Sequence, residues 1–236
     1  MIKKTILFLF CIFLFSTAFG RDKGLLAFSA GPAIPLLEYG KMGEPLDMVG
    51  NAKTGVVMKM NCSRRISSSL SITIQCHFMA NNFDKGYAAP YNYINYSGQV
   101  NDIELNHWTT IGFMVGLSGY FPLDENEINS IEPGFAFGIS SISHPGTLFP
   151  VMPTMYNTDY FYIRGKSSNT TSLQFNLLFK RKIYRRLCVL TDLQYYYAHP
   201  EFSSQFAVTT FFSKRAMNQS MNVGSLNVTA GLGYWF

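Results

Sequence analysis

The sequence predicts an all-β chain that closes into an antiparallel, up-and-down transmembrane barrel of eight strands. Three observations predict it. Apolar and polar residues alternate with period two in eight segments, the connections between those segments are long and short in turn, and charge stays off the apolar side of each segment. Composition points the same way: of 236 residues 47% are hydrophobic, 16% aromatic and only 14% charged, against roughly 25% charged in an average soluble domain. Such a balance argues against intrinsic disorder and suits an ordinary water-soluble domain poorly.

Residues 1–20 read as a cleavable signal peptide and residues 21–236 as one barrel domain. The leader has a basic head at Lys3 and Lys4, an apolar run from Ile6 to Phe15, and small residues Ala18 and Gly20 ahead of Arg21. That run is short for a spanning helix, and beyond it no stretch approaches the roughly 20 apolar residues such a helix needs. The net charge of +5, to which Lys3 and Lys4 contribute, is no nucleic-acid footprint. With Cys11 assigned to the leader, the remaining Cys62, Cys76 and Cys188 are odd in number and lack CxxC spacing. They are read as small apolar fillers, with neither a disulfide framework nor a zinc site expected.

The strands are taken in chain order. In the first, Leu26, Phe28, Ala30 and Ile34 oppose Ala27, Ser29, Gly31 and Ala33; in the second, Val56, Met58 and Met60 oppose Lys59 and Asn61. The third sets Leu70, Ile72, Ile74, Cys76 and Phe78 against Ser71, Thr73, Gln75 and His77. The fourth sets Ile111, Phe113, Val115 and Leu117 against Gly112, Gly116 and Ser118. The fifth pairs Phe135, Phe137 and Ile139 with Gly134, Ala136, Gly138 and Ser140, and the sixth Leu173, Phe175, Leu177 and Phe179 with Gln174, Asn176 and Lys180. The seventh has Leu187, Val189, Leu193, Tyr195 and Tyr197 on its apolar side, with Leu190 and Thr191 blurring the phase. The eighth alternates cleanly from Ser225 to Phe236.

Short links fall around residues 61–67, 123–131 and 181–186, and long ones around 37–54, 81–107, 144–167 and 199–220. A membrane barrel sorts its loops by side in this way; a soluble sandwich has no reason to. Lys59, Asp192 and Lys180 all share the face of the Gly, Ser, Asn and Gln residues. Lipid would enforce that parity, because a Lys or Arg facing mid-bilayer costs about 2 to 4 kcal/mol.

The terminal run Leu226-Asn227-Val228-Thr229-Ala230-Gly231-Leu232-Gly233-Tyr234-Trp235-Phe236, supported by Phe28 to Pro35 and by Asn82-Phe83-Asp84, resembles the small eight-stranded outer-membrane barrels of Gram-negative-type bacteria, the OmpA/OmpX-like class. The resemblance implies an outer-membrane location, with periplasmic termini and long extracellular loops. It implies outer-membrane lipid and lipopolysaccharide as surroundings, and Leu232, Tyr234 and Phe236 as a carboxy-terminal signal read by the barrel assembly machinery. It implies no single activity, because one barrel fold hosts many functions. The chain is longer than the smallest members, and the surplus lies in the long loops. There, residues 160–163 and 206–212 are expected to prolong strands beyond the bilayer, or the second stretch to open a further hairpin, giving a ten-stranded alternative.

The interior of an eight-stranded barrel is just wide enough for side chains to fill. Lys59, Gln75, His77, Gln174, Asn176, Asp192 and Gln194, with Met114, Tyr120 and Tyr196, are the expected lumen set, read as a polar plug. Lys59 is the leading candidate to neutralise Asp192, since buried charges are generally paired. Tyr87, Tyr91, Tyr93, Tyr96, Tyr160 and Tyr162 stand among Asn, Ser and Gly in the long loops, a mixture suited to adaptable binding of an extracellular ligand. No GxSxG, metal-spaced His pair, phosphate loop or calcium loop occurs, so no catalytic residue, metal or cofactor is implied. The expected role is structural or adhesive. A narrow pore or transporter is the first alternative, and a surface enzyme using His107, His144 or His199, or an accessory of a secretion or assembly system, is the second.

Overall fold

The computed structural model describes residues 24–41, 50–82, 107–145, 147–150, 160–163, 166–208 and 214–236. Eight strands form a ring: β1 (Gly24–Leu36), β2 (Gly55–Arg65), β3 (Leu70–Asn81), β4 (Trp108–Gly119), β6 (Asn129–His144), β9 (Lys166–Tyr184), β10 (Leu187–Ala198) and β13 (Val223–Trp235). Every neighbouring pair is antiparallel. β4 pairs with β6, and β13 pairs back onto β1 with Ala30 opposite Ala230, which closes the ring and leaves it no edge. The two-residue β5 (Phe121–Pro122) continues β4 along β6. Eight is therefore the strand number of the closed barrel, in place of the ten-stranded alternative.

The extra chain in two of the long loops makes a separate four-stranded sheet. It comprises β7 (Thr147–Pro150), β8 (Tyr160–Ile163), β11 (Glu201–Val208) and β12 (Lys214–Ser220), in the order β12-β11-β8-β7. All of it lies at the long-loop end. The three tight connections lie at the other end, where Gly24 and Phe236 exchange backbone hydrogen bonds of 3.3 and 3.0 Å.

Period two decides which residues face which way, because successive side chains of a strand leave opposite faces. Phe28, Met58, Ile111, Phe137, Ile139, Phe175, Leu193 and Leu232 are exposed on the outside, while Ser29, Lys59, Gln75, Gln174, Asp192 and Thr229 are buried within. Strands of 11 to 19 residues exceed the roughly 9 to 11 needed to cross hydrocarbon. Among the described residues no helix is long and apolar enough to cross a membrane.

Two ladder breaks coincide with a proline, whereas the register shift between Leu187 and Cys188 in the β9–β10 pairing does not. The β1–β13 pairing skips Gly31 and Pro32, and the β4–β5 seam against β6 is interrupted at Tyr120, next to Pro133. Proline has no N–H to give a neighbouring strand, so the ladder opens where it stands.

Candidate functional site

The site is the lumen, built in layers from inward-facing positions. At mid-height Lys59 of β2 donates to Asp192 of β10, with their side chains 0% and 2% exposed. Beside them the side-chain amides of Gln75 (β3) and Gln174 (β9) bond reciprocally, at 2.7 and 2.9 Å. The two carboxamides thus satisfy each other across 99 residues of sequence, as buried polar groups require. Towards the long loops, Ser140 and Ser172 hydroxyls meet at 2.8 Å, and the His77 ring stands edge-on to Tyr196 with centroids 5.1 Å apart. Gly112 lies opposite His77 in the β3–β4 register, where a Cβ would meet the imidazole and come within 2.7 Å of Ser140 Oγ. Its lack of a side chain is what leaves room for that ring.

Apolar layers bound this polar section. Leu25, Ala27, Leu178, Cys188 and Leu190 pack together below it. Above it, Trp108 is fully buried among Tyr39, Val57, Ile142, Phe202 and Val223, and donates its indole N–H to Gly50 O at 2.8 Å. Tyr39, His144 and Phe202 all present their rings to Trp108, at centroid distances of 5.2, 4.5 and 6.0 Å. A helical turn, Leu37–Gly40, holds Tyr39 in this cap. The turn is tied down where Asn222 N–H donates to Glu38 at 2.6 Å, which holds that carboxyl below its ordinary range. Burial in turn pushes the Tyr39 phenol well above its own.

At the tight-turn end a second ion pair joins Lys180 to Glu132 at 2.6 Å, with both side chains 3% exposed. Below it opens a cavity of about 310 Å³ whose walls include Arg65, Tyr120, Ser130, Lys182 and Trp235. Arg65 stacks 3.5 Å over the Tyr120 ring and reaches Glu127 at 3.3 Å, while Tyr120 donates to the same carboxylate at 3.0 Å.

Of the residues expected in the lumen, Lys59, Asp192, Gln75 and Gln174 are drawn into contacts with one another. His77 and Gln194 are buried without hydrogen-bond partners on their side-chain nitrogens and oxygen. Asn176 is half-buried beside a void of about 20 Å³ that it shares with Asn61 and Glu132. Leu232 and Tyr234 point outward and Phe236 closes against Gly24. Tyr87, Tyr91, Tyr93 and Tyr96 lie outside the described residues, as does the leader. Tyr160 and Tyr162 belong to β8, opposite Pro150 and Leu148. Of the loop histidines, His144 is packed in the apolar cap and His199 bonds Asn222 Oδ1 at 3.1 Å.

Sequence reasoning missed Glu132 and Trp108. Glu132 precedes Pro133, which stops the reading of its strand at Gly134, although Ser130 and Glu132 keep the inward parity of Gly134 and Ala136. Trp108 carried no such signal, since an aromatic at a strand end reads equally well as lipid-facing.

No protein-family model matches the chain, and neither does any curated protein. Among solved structures it is similar to the Neisserial surface protein A, at 12% identity over 92% of this chain and 100% of that one, with a TM-score of 0.47. A major outer membrane protein of Thermus thermophilus is similar at 13% identity over 90% and 99% of the two chains, TM-score 0.49. The outer membrane protein OprG of Pseudomonas aeruginosa is similar at 10% over 92% and 98%, TM-score 0.47.

Proposed function

We propose that the chain is an integral outer-membrane protein whose barrel anchors long external loops and conducts nothing. One observation carries this reading: the lumen is crossed by the Lys59–Asp192 and Gln75–Gln174 pairs and bounded by apolar layers, so a solute would have to break buried charge pairs and enter dry packing. On this reading Lys59, Gln75, His77, Gln174, Asn176, Asp192 and Gln194 form a static plug. The apolar belt faces lipid, with lipopolysaccharide around the outer rim.

Residues 1–20 export the chain and are removed, leaving residues 21–236. The tight turns and both termini face the periplasm, and the long loops face out. Leu232, Tyr234 and Phe236, spaced by two along the last strand, supply an outward stripe for the barrel assembly machinery. The work of the protein is structural or adhesive, done by the loops that carry Tyr87 to Tyr96 and by the second sheet with Tyr160 and Tyr162. Planar-bilayer recording of the folded protein tests the sealed lumen: no steady conductance is expected, and a steady nanosiemens conductance overturns the reading. Proteinase shaving of intact cells tests the orientation. Released peptides should come from residues 83–106 and 151–159, and peptides from residues 123–128 or 183–187 would invert the topology.

A further inference from the structure

We propose that the tight-turn mouth of the barrel is a binding site for a phosphate group, carried by soluble phosphate or by a lipid headgroup. The cavity there, about 310 Å³, is at the lower end of the roughly 300 to 1,000 Å³ usual for small-ligand sites. Its wall gathers five basic side chains, Arg65, Lys180, Lys182, Arg185 and Arg186, against one lining carboxylate, Glu127. Arg65 comes from β2 and the others from the end of β9 and its turn, so the ring closure brings the charges together. Strand parity turns Lys180 and Lys182 towards the mouth and Arg181 away from it.

The carboxylate side chains at this wall are already engaged, and Arg186 donates to the Tyr234 hydroxyl at 3.2 Å. Glu132 is committed to Lys180 and Glu127 to Arg65. Lys182 has no ion-pair partner among the described residues, and Arg185 has only the Tyr184 ring, 5.6 Å from its guanidinium. Trp235 also lines the wall, with Lys180 Nζ 5.1 Å from its ring centroid. Free phosphate supplies about 1.5 to 2 negative charges and a diester headgroup a single one, each with acceptor oxygens that suit Arg forks and Lys point charges converging from different elements.

The test uses the full barrel folded in detergent micelles and titrated calorimetrically with inorganic phosphate. Saturable binding at one site is expected. Lys182→Gln/Arg185→Gln, which changes one exposed residue at the end of β9 and one in the turn after it, should weaken it at least about tenfold, while Lys41→Gln at the opposite end leaves it unchanged. A second arm reconstitutes the protein in phosphatidylcholine nanodiscs with and without phosphatidylglycerol, and reads the fluorescence change that is lost in Trp235→Phe. If free phosphate fails to saturate but phosphatidylglycerol shifts this signal in the wild type and not in the double variant, the headgroup is the source and the site stands. The proposal falls if neither probe responds, if the double variant responds like the wild type, or if Lys41→Gln weakens binding equally.

Discussion

Replacing Lys59 with methionine keeps an unbranched side chain one atom shorter and deletes its charge inside the barrel. The Asp192 carboxylate is then left without a donor, because its Oδ1 already has no hydrogen-bond partner and its Oδ2 is held by Lys59. Two unit charges about 4 Å apart in an effective dielectric of about 20 attract by about 4 kcal/mol. Breaking a buried pair from one side costs about 3 to 5 kcal/mol, whereas exchanging both partners for apolar groups is commonly neutral or stabilising. Lys59→Met should therefore lower the unfolding free energy by about 3 to 5 kcal/mol, and Lys59→Met/Asp192→Leu should return to within about 1 kcal/mol of the wild type. Urea titration in micelles, followed by the mobility of folded and unfolded barrel on unheated gels, measures both. Should the double variant be as weak as the two single variants added together, Lys59 and Asp192 are not coupled and the account of the plug is wrong.

Gly112→Ala drives a Cβ into the His77 ring and towards Ser140 Oγ. It should cost about 1 to 3 kcal/mol as overpacking, and His77→Ala in the same chain should recover part of that in the same titration. Trp108→Ala empties the centre of the apolar cap and leaves Gly50 O without its donor. A loss of roughly 3 to 5 kcal/mol is expected, with faster proteolysis of residues 36–55 as the second readout. In the β5–β6 turn, backbone N–H groups of Ile128 and Asn129 donate to Asp124 at 2.7 and 2.6 Å and hold its carboxyl below its ordinary range. A lowered folded pKa adds stability above the unfolded pKa and loses it as pH falls through the folded one. The advantage of wild type over Asp124→Asn should thus be present at neutral pH and vanish in acid, read from unfolding midpoints across about pH 7 to about pH 3.

The eight ring strands were legible because a one-residue slip would reverse every side chain, so each segment's alternation states its own phase. The same logic assigned Lys59 and Asp192 to one interior, where burial leaves each in need of the other. Alternation names a face but not its neighbours, and so Leu190, apolar yet inward, only blurred the pattern of its strand, and Leu178 went unremarked in its own. Their reason is tertiary: with Leu25 they make the lower apolar layer. The second sheet was half visible, since residues 160–163 and 206–208 read as extended chain. The pairing of Phe206 with Ile163 joins two separate loops and has no local signal. The cationic mouth joins the basic run from Lys180 to Arg186 to Arg65, which is distant from it in sequence, so it is assembled only on closure.

That closure has a consequence for how the molecule comes into being. The partner of β1 is β13, so the ring is sealed by strands that are nearly the first and the last of the described chain to be synthesised. Before β13 arrives, β1 and β10 are raw borders, each with a row of backbone donors and acceptors that hydrocarbon penalises by several kcal/mol per group. A polypeptide halted before residue 223 is therefore not a slightly weakened barrel but one with no tolerable way into the bilayer. Insertion and circularisation must be a single event, or else something must shield those borders until the tail is made.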